Sequence, residues 1–452
     1  MKPVLLWSDI LLFLLVFISI GAAWWARRNP QLCAAWRQVG ASRIGVAAAT
    51  ILVFFVVVAL LDSVHYRERL AGKAGESQQY SVEVVSVLDA VLHTQKTRTE
   101  KTYSAPLAMH LFAKESLTDS AGKSVGRDFP RLKFGGQHLS NEDEWAGDVA
   151  KHIVIGLLGA LLLGSALVFS LRRIVLACAP WFAWQAAAIT LAGMFAVGGV
   201  IVALAPYYHV FGTDKVGQDV LYLTLKSIRT GLLLGTLTTL VMLPAALLFG
   251  ILAGYKSGWI DDVIQYVYTV LNSIPDVLLI AASMLMMQVV IDTHPDWFAT
   301  AAERSDARLL SLCLIMGITS WTGLCRLLRA ETLKLRELEF VQAAQAFGVS
   351  SWAIMARHIL PNVMHIVMIT LVMNFSSLVL AEAVLSYIGI GVDPATISFG
   401  TMINTARMEL AREPMVWWSL VAAFCFMFVL VLAANLFADT VRDAFDPRGR
   451  VS

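Results

Sequence analysis

The chain alternates long apolar runs with short polar joints. Runs near 10–26, 44–61, 152–171, 184–206, 231–254, 263–291, 308–327, 363–385 and 413–437 are almost continuously apolar. Each is close to the ~20 residues that an α-helix needs to cross a hydrocarbon layer of ~30 Å. Barrel strands would instead alternate polar and apolar positions over ~10 residues. The pattern predicts an all-α polytopic membrane protein of about nine transmembrane helices. One stretch interrupts it: residues 62–151 hold 12 Lys or Arg, 13 Asp or Glu and no cysteine. They are expected to form a small extracytoplasmic domain. Within it, Tyr80–Leu92 has mixed strand and helix character, and Lys133–Glu144 reads as turn and surface.

Arginine and lysine in short loops set the expected orientation. Arg27, Arg28, Arg37 and Arg43 lie in one joint, and Arg172 and Arg173 end the third span. Arg326, Arg329, Lys334, Arg336 and Arg357 flank residues 340–362, and Arg442, Arg448 and Arg450 fill the C-terminal segment. With nine spans all of these fall on one side, the cytoplasm, so the N-terminus is expected outside and the C-terminus inside. Two segments fit the rule poorly. The 255–262 turn sets Lys256 against Asp261 and Asp262, and the outer 207–230 segment holds Lys215, Lys226 and Arg229. The first run is expected to stay in the membrane rather than be cleaved, because its charges follow the apolar core instead of preceding it.

Composition narrows the function classes. Apolar residues make up 58% of 452, and the mean hydropathy is +0.68. A net charge of +2 without a basic face speaks against nucleic-acid binding. Cys33, Cys178, Cys313, Cys325 and Cys425 are scattered with no CxxC pair, so neither a disulfide framework nor a zinc site is expected. The histidines show no HExxH spacing, and no metal site is expected. A phosphate cradle needs GxxxxGK[ST]; the nearest stretch, Gly250–Ser257, has an extra residue, Tyr255, between its second glycine and Lys256 and sits at a membrane edge. The chain is therefore read as non-enzymatic, with no bound cofactor expected.

Residues 340–362, FVQAAQAFGVSSWAIMARHILPN, carry the most specific pattern. The pair Ala343-Ala344 is followed by Gly348, which permits a sharp turn. Ser350 or Ser351 is placed to cap a short helix over Trp352–Ile359. Trp352, Ile354, Met355 and Ile359 approximate one face of that helix. Pro361 is expected to turn Leu360 out of the helical region and restart the chain into the next span. This stretch resembles the EAA loop of ABC-importer permeases, with Gln342 where Glu is usual.

The resemblance extends from about 184 to 448. His209–Gly231 is similar to the outer "GTD…GRDV…GAR" segment, with Gly212, Thr213, Asp214, Gly217, Asp219, Val220 and Arg229 in place and Gln218 in the position of Arg. Ala253–Asp261 matches the tight turn between two core helices. Ala381–Ile403 and the ending Asn435–Arg448 match the last two segments, the latter through Asn435, Asp439, Arg442, Asp443, Asp446, Pro447 and Arg448. The chain is thus identified as similar to permease subunits of the dipeptide, oligopeptide and nickel importers, the DppC/OppC type, with an atypical N-terminal extension.

The apolar runs predict two N-terminal helices over 1–61, an extracytoplasmic domain over 62–151 and a third extra helix and connector over 152–183; the resemblance implies a six-helix permease core over 184–452. Its coupling loop, 330–362, would grip an ATPase through Gln342, Ala343, Ala344, Gly348, Trp352, Ile354, Met355, His358, Leu360 and Pro361. The implied partners are a homologous second permease, two ATPase subunits and an extracytoplasmic solute-binding protein, in the lipid of a bacterial inner membrane. Short peptides are the implied cargo, with nickel or another small solute as the alternative. The first 180 residues lie outside the resemblance; the domain over 62–151 is either a spacer or a docking surface for the binding protein.

Ionisable residues inside spans are few. Glu382 either faces a translocation cavity or anchors a polar helix end. Asp276, after Pro275, marks a kink. An ion-coupled carrier would need a buried relay of such groups. A membrane sensor built on 62–151 would need a cytoplasmic signalling domain, and only 15 residues follow 437.

Overall fold

The computed structural model describes residues 2–28, 30–69, 80–118, 124–298 and 300–445. The chain opens with strand β1 (Lys2–Val4), followed by α1 (Trp7–Arg28), α2 (Pro30–Ala41) and α3 (Arg43–Asp62). Ser42 starts α3 by accepting the Gly45 N–H at 3.2 Å, satisfying a donor that a helix N-terminus leaves over. Strands β2 (His65–Arg69) and β3 (Tyr80–Ser86) come next, then the short helices α4 (Val87–Val91) and α5 (His93–Thr97), then the hairpin strands β4 (Glu115–Thr118) and β5 (Ser124–Asp128). The remainder is helical: α6 (Trp145–Cys178), α7 (Trp184–Leu204), α8 (Val220–Lys256), α9 (Trp259–Ser273), α10 (Asp276–Thr293) and α11 (Ala301–Arg336). After them come α12 (Glu339–Ala346), α13 (Ser351–Ile354), α14 (Leu360–Ile388), α15 (Phe399–Glu409) and α16 (Trp418–Phe445).

Among the described residues, 8 helical segments are long and apolar enough to cross a membrane, and α1 adds a shorter apolar stretch, Trp7–Gly21. The fold is an all-α polytopic membrane protein with a small strand-bearing insertion. The run at 263–291 is not one helix. It breaks at Ile274 (φ −96°, ψ 130°), the residue before Pro275. The proline ring disfavours helical dihedrals at the preceding position and removes an N–H from the ladder. The result is an amphipathic α9 and a separate apolar α10 opened by Asp276. Helix α15 was not visible as an apolar run; a capping box between Ser398 and Thr401 starts it.

By packing, the chain divides into two units. The first comprises Met1–Leu5, Arg37–Thr230 and Ile397–Ala433. Its sheet has the order β1-β2-β3, antiparallel throughout, with Pro3 opposite Tyr66 and Tyr66 opposite Val85. Helices α6 and α7 form its most intimate pair. A Cβ at Gly156 would lie 2.6 Å from the Gly199 carbonyl oxygen, so only glycine allows this approach. A small core of Met109, Leu139, Val149, Leu204 and Tyr208 joins the 62–151 segment to the ends of α6 and α7. That segment therefore packs with the helices around it.

The second unit comprises Leu6–Trp36, Gly231–Thr396 and Ala434–Ser452. In it α1 packs on α11, with the buried Ser8 N–H donating to Asp306 Oδ2 at 3.1 Å. Its core runs through Met242, Ala246, Trp321, Leu324, Leu328, Val363 and Val367 and continues into the loop between α11 and α14.

Candidate functional site

The loop between α11 and α14 is a compact knob. Helix α11 stays helical well beyond its apolar stretch, to Arg336, with Thr332 fully buried. Helix α12 then turns its Val341 and Ala344 inward against Tyr255, Ile264, Ile354, Met355 and Ile359. Gly348 ends this turn at φ +75°, a left-handed conformation that favours glycine. The Val349 N–H returns to the Ala344 carbonyl at 3.1 Å, and the Gly348 N–H to that of Gln345 at 3.0 Å. Ser350 caps the next turn, its hydroxyl accepting the Ala353 N–H at 3.4 Å.

The knob is bolted to the neighbouring turn. Gln345 Nε2 donates to the Tyr255 hydroxyl at 3.2 Å, and Arg336 reaches Ser257 Oγ at 3.0 Å. Beneath it, Arg329 grips Asp261 with two hydrogen bonds of 2.6 and 2.7 Å. Asp261 and Asp262 also lie in the first turn of α9, where negative charge suits the helix dipole. The acidic turn that fits the positive-inside pattern poorly is thus a receptor for α11 arginines.

Two expectations about this loop need correction. Trp352, Ile354, Met355 and Ile359 do not share a face: the last three are buried in the knob, whereas Trp352 is 64% exposed. A short helix packed on its own core must bury one side, leaving the tryptophan outward. Of the pair Ala343-Ala344, Ala344 is buried and Ala343 is exposed. Nor does Pro361 turn Leu360 out of the helical region. Leu360 has φ −52° and ψ −46°, and a π-helical turn over Met355–Ile359 runs straight into α14. Pro361 falls in the first turn of α14, where its missing N–H is not needed.

The outward face of the knob is aromatic. Phe347 is 87% exposed, and Phe340, Val349 and Leu338 are exposed beside it. Gln342 is exposed, and its amide Nε2 donates to the Glu337 carbonyl at 3.2 Å, a role that a Glu carboxylate lacks. The His358 ring stands 6.1 Å from that of Phe340.

The second cluster is the outer turn before α8. Gly212 and Gly217 adopt φ +73° and +78°. Asp214 closes the turn by accepting the Val216 and Gln218 N–H groups at 2.9 and 2.8 Å. Asp219 accepts the Leu221 N–H at 2.8 Å and lies 2.8 Å from His209 Nδ1. Arg229 Nε donates to Ser63 Oγ at 3.2 Å. The structure brings Gly212, Thr213, Asp214, Gly217 and Asp219 together as one turn, with Arg229 farther along α8.

The remaining expected residues stand apart. Glu382 is 1% exposed and accepts the Ser386 hydroxyl at 2.8 Å within its own helix. Pro275 and Asp276 are exposed at the break before α10. Asn435 accepts the Ser376 hydroxyl at 2.7 Å, whereas Asp439, Arg442 and Asp443 are exposed on α16. Asp446, Pro447 and Arg448 lie outside the described residues. Among the described residues, no group of three or more His, Cys, Asp or Glu side chains is placed to hold a metal ion.

Residues that the sequence reading missed sit in the 62–151 segment. Lys226 pairs with Asp89 and lies 3.6 Å from Asp62, while the Tyr222 hydroxyl donates to Asp89 at 2.9 Å. The signal was present: Lys226 and Arg229, which fit the positive-inside pattern poorly, are held by Asp89 and Ser63.

Comparison with known proteins agrees with this layout. Residues 246–451 match the family described as binding-protein-dependent transport system inner membrane component. A dipeptide transport system permease protein DppC of Lactococcus lactis is 31% identical over 240 residues, which are 53% of this chain and 64% of that protein. An oligopeptide transport system permease protein OppC of Mycobacterium bovis is 33% identical over 242 residues, 54% of this chain and 77% of its own length. A glutathione transport system permease protein GsiD of Pectobacterium atrosepticum is 30% identical over 240 residues, 53% of this chain and 73% of its own. The chain belongs to the family of binding-protein-dependent transport system inner membrane components, the permeases of ABC importers, with relatives of the DppC and OppC type.

Proposed function

We propose that this chain is one permease subunit of an ATP-driven importer and forms half of a translocation pathway for short peptides. The observation that carries the reading is the knob between α11 and α14, buried on its inner side and aromatic on its outer one. Exposed, contiguous aromatic surface on a well-packed element is the usual form of a protein-docking site. Its occupant in this reading is an ATPase subunit, which binds and hydrolyses ATP with magnesium; this chain supplies no such chemistry.

The mechanics follow from the packing. Val341, Ala344, Ile354, Met355 and Ile359 make the knob one piece. The π-helical turn passes any displacement directly to α14, and the Arg329–Asp261 and Gln345–Tyr255 bonds pass it to α11 and to the 255–261 turn. Closure of the ATPases would shift the knob and re-tilt those helices, opening the pathway outward; hydrolysis would reset it. A second, homologous permease completes the pathway, and an extracytoplasmic binding protein delivers the solute.

The names of the relatives support peptide cargo, with glutathione among them. Nickel or another small solute is the alternative within the same architecture. The pairing of Lys2–Val4 with His65–Arg69 supports an N-terminus on the outer side of the inner membrane together with the 62–151 segment. The closing test is uptake by the complete transporter in proteoliposomes carrying Gly348→Trp. Loss of ATP-driven uptake with normal membrane insertion is expected; unchanged uptake would refute the coupling role.

A further inference from the structure

The family's outer turn is occupied here by the chain's own added segment. The Glu100 N–H donates to the Gly217 carbonyl at 2.9 Å, and a Cβ at Gly217 would collide with the Glu100 backbone. The Ser104 N–H donates to Thr213 Oγ1 at 2.7 Å, and the Thr213 N–H returns to the Ser104 carbonyl at 3.1 Å. The Thr213 hydroxyl donates in turn to the Thr102 carbonyl at 2.9 Å. His209 is buried between the two parts, 2.8 Å from Asp219 at the start of α8 and 3.5 Å from Glu100. Glu100 is itself fixed by the Lys133 and Phe134 N–H groups at 2.9 and 2.8 Å.

The same stretch also holds the start of α16. The Phe112 ring meets Trp418 edge-on at 4.8 Å, and the Trp418 indole N–H donates to the Thr213 carbonyl at 2.9 Å. Arg412 lies over the Tyr103 ring at 5.5 Å. Residues 98–112 therefore touch the turn that leads into one membrane-spanning helix, at Thr213 and Gly217, and the first residue of another, Trp418, distant in sequence.

We propose that residues 98–112 are a permanent strap that ties the outer ends of α8 and α16 together, so that the two move as one piece during transport. The inference rests on the importer reading for its transport arm. Its first readout, cross-link formation, does not depend on that reading. The strap works through backbone hydrogen bonds and aromatic packing that are satisfied inside the protein. Releasing them during a cycle would strand the Glu100 and Thr213 N–H groups and the buried His209.

The test uses the complete transporter carrying Ser104→Cys and Thr213→Cys. The two hydroxyl oxygens stand 3.1 Å apart, near enough for their sulfurs to bond with little backbone movement. We expect a disulfide to form, and uptake by the oxidised form to be no lower than that of the reduced form, which lacks the Thr213 hydroxyl's bonds. Failure to cross-link, judged against each single-cysteine variant, would overturn the docking. Uptake that stops on oxidation and returns with reductant would overturn permanence and make the segment a moving lid. Thr213→Val adds no bulk and removes the hydroxyl's bonds to the strap; it is expected to raise protease sensitivity within residues 98–112 and lower uptake about fivefold. Wild-type protease resistance in that variant would count against the strap.

Discussion

Arg329 near the end of α11 holds Asp261 at the start of α9 in a two-pronged grip, Nε to Oδ1 at 2.6 Å and Nη2 to Oδ2 at 2.7 Å. The carboxylate is nearly buried, so it depends on that partner. Arg329→Ala is expected to cost about 3 kcal/mol, because it leaves a buried charge unpaired. Arg329→Lys is expected to recover only part of this, since an ammonium lacks the fork. Thermal unfolding in detergent, run as a double-mutant cycle with Asp261→Ala, measures the coupling. Additive losses would show that the pair does not brace the knob.

Gly348 is a second sensitive point, for a different reason. Nothing lies within 4 Å of where its Cβ would be, so the penalty is conformational and not steric. A left-handed residue other than glycine costs roughly 1–2 kcal/mol. Gly348→Ala should therefore lower stability by about that much, and Gly348→Asn by less, because Asn tolerates this region. Equal stability of the Gly and Ala proteins would mean that the turn relaxes and carries no strain.

The aromatic face should be separable from stability. Phe347→Asp and Trp352→Asp touch none of the buried knob, so the melting temperature should hold. Co-purification with the ATPase subunits should weaken about tenfold, as expected for an aromatic anchor at an interface centre. A variant that loses both stability and assembly together would place these side chains in the core after all.

His209 gives the turn before α8 a pH signature. Burial opposes its charge, but Asp219 and Glu100 outweigh burial and push the imidazole up to about 9. Glu100 is held below its usual range, its own burial outweighed by His209 and the Lys133 and Phe134 N–H groups. Arg98 and Tyr208 line the same small cleft. A base whose folded value is raised stabilises fully below its unfolded value, near 6.5, and loses that contribution as pH rises through about 9. Protease resistance of the 98–112 stretch should thus be level below about pH 6.5 and fall toward pH 9 and above. His209→Gln should flatten the profile; an unchanged profile would remove His209 from the strap.

Much of this was legible in the chain. Continuous apolar runs reveal spanning helices because lipid imposes a length and forbids unpaired backbone. The knob announced itself through Ala343-Ala344, Gly348 and Ser350, each doing a job tied to its chemistry. Other features were opaque for physical reasons. At Pro275 the sequence suggested a kink, whereas the helix ends outright at Ile274 and a new one starts at Asp276. Which of Trp352, Ile354 and Met355 would face inward depended on Tyr255 and Ile264, about 90 residues earlier in the chain. The strap was invisible because its bonds join residues far apart in the chain, as between Ser104 and Thr213, 109 positions apart, and no local pattern marks such a contact. Lys226 and Arg229 were traces of other contacts, with Asp89 and Ser63.

The most direct measurement places a photo-cross-linking residue at Phe347 in the assembled transporter. The account predicts a product with an ATPase subunit, in a yield that changes with bound nucleotide. A product with an extracytoplasmic protein instead, or none with the ATPase in any nucleotide state, would contradict it.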